Sequence, residues 1–297
     1  MRVFVTGATG FIGSAIVPEL IKAGHHVLGL TRSDAGAEAL IAAGAEVHRG
    51  DLEDLESLRR GAAASDGVIH CAFDHDFSNF VANCEKDRRV IEAIGSVLVG
   101  SDRPLVITSG TGMGSVLPGE PATEDNFNPE HPNPRRASEL AGVSLLERGV
   151  NVSVVRLPQV HDTHKQGLIT PYIAMAREKG VVAYLGDGLN RWPAVALLDA
   201  ARVYALAFEK RKAGSRYHAV GEEGVPVREI AEVIGQGLKL PVVNVSPEEA
   251  PAHFGWLTAF VGWDMAASSA LTQERLGWRP TGPGLIEDLE NMDYFEA

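Results

Sequence analysis

The sequence predicts an α/β protein: a doubly wound parallel sheet with helices on both faces, and a smaller, mostly helical C-terminal lobe. Three observations carry this. Strand-like and helix-like stretches alternate at short spacing through the first half of the chain, the form of a parallel sheet wrapped on both faces. The first strand runs straight into Gly7-Ala8-Thr9-Gly10-Phe11-Ile12-Gly13. After Pro158 the alternation gives way to helical stretches, which should pack over the carboxyl ends of the strands, where ligands of such sheets bind.

The elements follow in order. Arg2 to Thr6 reads RVFVT, a strand of β-branched and aromatic residues, and an apolar-periodic helix covers 11–23. Strand, glycine turn and helix together give the motif meaning. Gly7 allows the tight turn. Gly10 has no Cβ, so a pyrophosphate can approach the backbone, and Gly13 lets the helix pack closely on the strand. The free N–H groups of the helix start face the anion. Gly7, Thr9, Gly10, Phe11, Ile12 and Gly13 are therefore the expected dinucleotide-binding residues. The plainer alternative is a βα turn without a ligand.

A second strand over 26–30 follows the Gly24 stop, then a helix over 35–43, a third strand over 45–48 and the turn Gly50-Asp51-Leu52. A helix over 55–63 leads to the fourth strand, GVIHC at 67–71. The loop after it carries Asp74, His75 and Asp76. A long helix covers 80–99, a fifth strand 105–108, an irregular Gly/Pro-rich stretch 110–134, a helix 138–148 and a sixth strand 152–157. Beyond Pro158, helices are expected over 168–180, 198–212, 227–238 and 268–276, with strands at 217–220 and 241–245. Ser246-Pro247-Glu248-Glu249 has the form of a helix start, with Ser as N-cap. The reading divides the chain into a dinucleotide-binding domain, 1–157, joined by a later strand near 216–220, and a substrate lobe, 158–297.

Composition bounds the function. The 297 residues are 45% hydrophobic and 22% charged, with a net charge of −12. That is an ordinary globular balance, and it argues against nucleic acid or an anionic membrane as partner. Cys71 and Cys84 have neither CxxC spacing nor a His-rich neighbourhood, so they read as buried thiols in a reducing compartment, and no metal site is expected. No apolar run reaches the ~18 residues of a membrane span. The first strand begins at Arg2, leaving no room for a signal peptide. The expected location is cytoplasmic.

TGATGFIG, GDLEDLESL, VIHCA, the Thr108-Ser109 pair, RLPQV, GDGLNRW with Asp199 downstream, and LGWRP occur in that order. The series resembles the extended short-chain dehydrogenase/reductase family along essentially the whole chain. The resemblance implies a Rossmann-type sheet domain with a C-terminal substrate lobe. It places Asp51 and Leu52 against the adenine and lines the cofactor with Ala72 and Phe73. It matches Asn83 to an active-site Asn on the helix after the fourth strand, with Asp87 one turn along the same face. It sets Thr108 and Pro158 beside the cofactor, and leaves a homodimer open.

The cofactor choice turns on the end of the second strand. NAD binders carry an acidic residue there for the ribose hydroxyls. None lies between His26 and Ser33; Arg32 and Ser33 stand there instead, and a guanidinium with a hydroxyl suits a 2′-phosphate. NADP is expected, with NAD the lesser alternative, since Asp34 lies one residue further on.

The family's chemistry rests on a Tyr-x-x-x-Lys pair. No Tyr in this chain is followed by Lys at that spacing. Aligned on Ser138, Arg135 stands where the Tyr belongs and Glu139 where the Lys belongs, and Arg holds its proton near neutral pH. Ser109 matches the family's substrate-orienting hydroxyl. His161, His75 and His164 are the candidate proton carriers, with Thr111 as a further hydroxyl. His164, Thr111, Arg191 and Trp192 are expected at the substrate. Arg191 is read as an anion partner or as the partner of an Asp such as Asp187. Trp192, Phe254, Trp256, Phe260 and Trp263 suggest a flat, apolar pocket, unless they are core. The expected activity is NADP-dependent hydride transfer to or from a small carbonyl-type substrate. The alternatives are a sugar-nucleotide epimerase or dehydratase, and a non-catalytic NADP sensor.

Overall fold

The computed structural model describes residues 1–115, 117 and 119–295. The first half alternates strand and helix: β1 (Arg2–Thr6), α1 (Gly13–Lys22), β2 (His26–Thr31), α2 (Asp34–Ala42), β3 (Glu46–Arg49), α3 (Leu55–Ala63), β4 (Gly67–His70), α4 (Phe80–Ser96), β5 (Pro104–Gly110), α5 (Arg136–Glu147) and β6 (Asn151–Leu157). Then come β7 (Gln159–His161), α6 (Ile169–Lys179), β8 (Val182–Leu185), β9 (Arg191–Ala196), α7 (Leu197–Lys210), β10 (Arg216–His218), β11 (Glu222–Pro226), α8 (Val227–Leu238), β12 (Val242–Val245), α9 (Ala250–Phe254), α10 (Thr258–Val261), α11 (Ala270–Leu276) and α12 (Leu285–Glu290).

The main sheet has seven strands in the order β10-β6-β5-β4-β1-β2-β3, all parallel. Strand order reverses between β1 and β4, which makes a ligand crevice at their carboxyl ends. Alternation along each strand feeds two cores. Val3, Val5 and Ile69 meet Ile16 and Leu20 of α1 and Tyr204 and Phe208 of α7. Phe4, Val68 and Ile107 meet Leu58 of α3, Ile91 of α4 and Leu145 of α5.

The smaller lobe has its own core, including Tyr172, Trp192, Ile230, Phe254 and Leu285. It also carries two small sheets, β11-β9-β7 and β12-β8. Of their strands only β12 was expected. The others are three to six residues long and show no clean alternation, so period-2 reasoning had little to register. The chain leaves the large sheet after β6 and returns with α7 and β10. The expected helix start at Ser246 is a turn: Ser246 Oγ accepts from Glu249 N at 3.3 Å, Glu249 Oε2 accepts from Ser246 N at 2.9 Å, and α9 begins at Ala250.

β10 ends the sheet, and the C-terminal segment covers its outer side. The His218 N–H donates to Thr272 Oγ1 at 2.7 Å, Ser269 Oγ donates to Val220 O at 2.7 Å, and Glu124 Oε1 accepts from both Thr272 N and Thr272 Oγ1. No helix among the described residues is long and apolar enough to cross a membrane.

Candidate active site

The glycine turn has the shape its spacing implies. Gly7 sits at φ +70°, and a Cβ there would lie 2.8 Å from Ala72 N, so the turn presses against the chain leaving β4. Gly10 N donates to Gly7 O at 2.9 Å and closes the turn. A Cβ on Gly13 would collide with the Gly7 carbonyl, so α1 can lie this close only with glycine there. The first four N–H groups of a helix have no intrahelical partner. In α1 the amides of Ser14, Ala15 and Ile16 are met by Gly10 O and Ile12 O, but those of Phe11, Ile12 and Gly13 have no partner among the described residues, and the N-cap Ile12 supplies no side-chain bond. Thr9 and Gly10 are exposed above this start and Phe11 and Ile12 half-buried. An open anion cradle results.

At the end of β2, Arg32 is exposed and makes no bond to any described residue. Ser33 caps α2, its Oγ accepting from Gly36 N at 3.1 Å. Asp34 is paired with Arg49 at 2.6 Å. Asp51 Oδ1 accepts from Glu53 N and Asp54 N, shaping the turn after β3, and Leu52 packs on the sheet core.

The crevice floor is a buried polar chain. Thr6 Oγ1, ending β1, is 2.6 Å from His70 Nδ1, ending β4; His70 Nε2 donates to Asp87 Oδ1 of α4 at 2.9 Å. Asp87 Oδ2 accepts from Ser138 Oγ at 2.5 Å and from Arg135 Nη1 at 2.6 Å, and Arg135 also contacts Ser138 Oγ. Arg135 Nη2 donates to Thr108 O at 2.9 Å, and its guanidinium lies 4.2 Å over the Phe73 ring. Burial pushes the Asp87 carboxyl up, but Arg135, His70 and Ser138 outweigh it and hold the group well below the usual carboxylate range. The cation of Arg135 is thereby fixed against the backbone that leads into Ser109. The Ser109 hydroxyl is 3% exposed and has no hydrogen-bond partner, which is costly unless something outside the chain engages it. Thr108 Oγ1 is occupied by His70 O at 2.8 Å and the Tyr204 hydroxyl at 2.7 Å. Burial raises the Tyr204 phenol above its ordinary range.

The remaining expected residues separate. Ala72 and Phe73 lie half-buried at the crevice, and Pro158 half-buried just past β6. His75 stands edge-on to Phe73 at 5.3 Å. Desolvation, then the Arg135 and Lys165 charges, lower its pKa although the residue is exposed. Thr111 is buried in the turn after β5. Asn83 is a clamp: its Nδ2 donates to Asp76 O at 2.9 Å and pins the loop after β4. His161 is buried in β7, Nδ1 to Asp288 Oδ2 at 2.6 Å, with Nε2 unpartnered. His164 is exposed in a turn whose amides bond to Asp162.

Two expectations for the substrate are corrected. Trp192 is fully buried in the small-lobe core, because the strand that carries it runs through the middle of its sheet. Arg191 is held by Asp264, at 2.7 and 3.0 Å, rather than by Asp187 or left for an anion. Glu139 faces away into a second buried cluster, bonded to Arg156 at 2.8 and 2.9 Å and to Arg216 at 2.9 Å.

Sequence reasoning missed His70, hidden inside an apolar strand, and Lys165, whose Nζ reaches 5.6 Å from the Phe11 ring and sets a small-lobe cation beside the glycine turn. No local spacing flags either one. No cluster of three His, Cys, Asp or Glu that could hold a metal occurs among the described residues.

A seven-stranded doubly wound sheet with an open cradle at its switch point defines a dinucleotide-binding α/β enzyme. The chain belongs to the NAD dependent epimerase/dehydratase family, whose match spans residues 3–220. It is 50% identical over 296 residues to an uncharacterized protein of Schizosaccharomyces pombe, covering 99% of this chain and 100% of that one. It is 26% identical over 310 residues to a UDP-glucose 4-epimerase of Streptomyces lividans, covering 94% and 92%. A dTDP-glucose 4,6-dehydratase from Streptomyces venezuelae, solved with NAD bound, matches the fold with a TM-score of 0.79 at 21% identity, covering 99% of this chain and 96% of that one.

Proposed function

We propose that this protein is an NADP-dependent oxidoreductase acting on a small carbonyl-type substrate. The observation that carries the reading is the buried, unpartnered hydroxyl of Ser109, the residue that follows the Thr108 carbonyl held by the Arg135 cation. The residues fit a dinucleotide: α1 lacks a side-chain cap, and Gly7 and Gly13 stand where a Cβ would strike backbone. The turn from Gly7 to Gly13 would hold the diphosphate, Ala72 and Phe73 the ring end, and Arg32 the 2′-phosphate. Ser33 and Asp34 have other partners, so Arg32 alone supports NADP over NAD. When bound, the cofactor supplies or takes a hydride.

The protein's own part is positional and electrostatic. Ser109 Oγ donates a hydrogen bond to the substrate oxygen and orients the carbonyl. Arg135 stabilises negative charge developing on that oxygen, and it does so without giving up a proton. Asp87, His70 and Thr6 hold the guanidinium in place. The proton then comes from His75, from Lys165 or from solvent.

A sugar-nucleotide epimerase or dehydratase is the second reading, favoured by the relatives named above and weakened by the missing Tyr-x-x-x-Lys pair. The test follows NADPH absorbance with a panel of aldehydes, quinones and enones. Turnover that vanishes in Ser109→Ala, with NADPH still bound, supports the reductase. Tight NADPH binding with no turnover on any of them moves the protein to the sensor class.

A further inference from the structure

A cavity of about 270 Å³ opens between the lobes, next to Arg135. Its walls come from Phe77 before α4 and Phe80 at its start, the loop 132–134, and Trp256, Phe260 and Trp263 in and just after the α9–α10 segment. Phe77 and Trp256 are stacked at 4.5 Å with 3° between their planes. Phe260 stands edge-on to Phe77, Phe80 and Trp256 at 6.1–6.2 Å. Trp256 and Trp263 remain 38% and 40% exposed; two tryptophans kept open at one hollow mark a ligand surface more than a core.

Both walls are braced. Asn79 Nδ2 donates to Asp76 Oδ2 at 2.8 Å and Asn83 Nδ2 to Asp76 O at 2.9 Å, which fixes the segment bearing Phe77. Asn190 Nδ2 donates to Val261 O and Trp263 O, both at 3.0 Å, which fixes the end of α10. The slot also leads to the site chemistry. Phe80 lies edge-on to Phe73 at 6.3 Å, and Phe73 carries the Arg135 guanidinium. Pro134 of the lining immediately precedes Arg135.

We infer that this slot binds a flat aromatic or quinoid carbonyl compound, its ring system on the open Trp256 and Trp263 surface of the hollow and its oxygen toward Arg135. The inference rests on the oxidoreductase reading for the orientation, not for the binding. No Lys or Arg is among the described lining residues, so a sugar diphosphate would meet apolar walls and a cation only in Arg135, which Asp87 already pairs. Planar rings gain from stacked and edge-on aromatic partners what a saturated ring of equal size does not.

The test is calorimetric titration of the full-length protein, without nucleotide, using 2-acetonaphthone, cyclohexyl methyl ketone and UDP-glucose as probes, with NADPH titrated separately. The expected result is saturable 2-acetonaphthone binding at least about tenfold tighter than the cyclohexyl ketone, and weakened about tenfold by Trp256→Leu and by Phe77→Ala. NADPH affinity should be unchanged in both variants, which shows that they are folded. No binding of the naphthyl ketone, equal binding of the saturated ketone, or UDP-glucose binding lost in Trp256→Leu overturns the inference. Slot binding without NADPH binding upholds it and sinks the cofactor reading; NADPH binding without slot binding does the reverse.

Discussion

In the proposed chemistry, Arg135 is the group that bears on the substrate oxygen. A guanidinium that bridges Asp87, Ser138 and the Thr108 carbonyl is a planar fork that lysine does not reproduce. Arg135→Lys should therefore lower kcat by about tenfold or more, roughly 1.4 kcal/mol, while leaving the NADPH Kd nearly unchanged, as kinetics and titration together will show. Removing the other partner is a structural blow. Asp87→Ala leaves a buried cation unpaired, which should cost about 3–5 kcal/mol, read as a lowered denaturant midpoint. A separate residue sets the response to acid. Burial, then the Arg156 charge, lowers the His218 pKa to about 3, against about 6.5 unfolded. Between those values the unfolded chain binds the proton and the folded chain does not. Stability is thus full above about pH 6.5 and falls as pH drops toward 3. The Tm should decline over that window, and His218→Gln should flatten the decline. At this scale the sequence spoke unevenly. Ser109 and Asp87 were legible because motif and helical spacing point to them. The burial of Trp192 and the Asp264 partner of Arg191 were not, because both depend on contacts far along the chain.

Among the elements, the βα unit at the N-terminus is the most constrained. Gly13→Ala places a methyl against the Gly7 carbonyl, and backbone on both sides cannot give way cheaply. The variant should lose NADPH binding and melt well below the parent protein, whereas the exposed Gly24→Ala, whose Cβ would meet nothing, should bind NADPH normally and lose only what its φ of +83° costs. Elements of this half were readable because their strands are apolar runs and glycine stops such as Gly24 and Gly44 close the helices before them. In the small lobe β7, β8, β9 and β11 escaped notice. They are brief, and a strand such as RWPAVA, buried along five of six residues, carries no period to read. The 246–262 segment breaks into a turn and short helices where one helix start was expected, since Gly255 at φ +53° interrupts it.

For the molecule as a whole, the cofactor choice has a clean readout. Arg32→Ala should weaken NADPH about tenfold or more and leave NADH almost unchanged; equal losses would mean that the 2′-phosphate lies elsewhere. The parallel sheet was legible from the sequence because alternation of elements is a long-range pattern. The return of α7 to the sheet was not, since its apolar face reads the same in either lobe. The C-terminal segment also guards the sheet. An outer strand with unpaired amides is a template for another chain, and on β10 the amide of His218 is already spent on Thr272. The same segment carries Trp278 of the sheet core and Leu285 and Leu289 of the small-lobe core, so a chain cut after Met265 would lose part of both cores along with the cover on β10. Such a fragment should form concentration-dependent particles in light scattering, since a bared outer strand and opened cores both promote association.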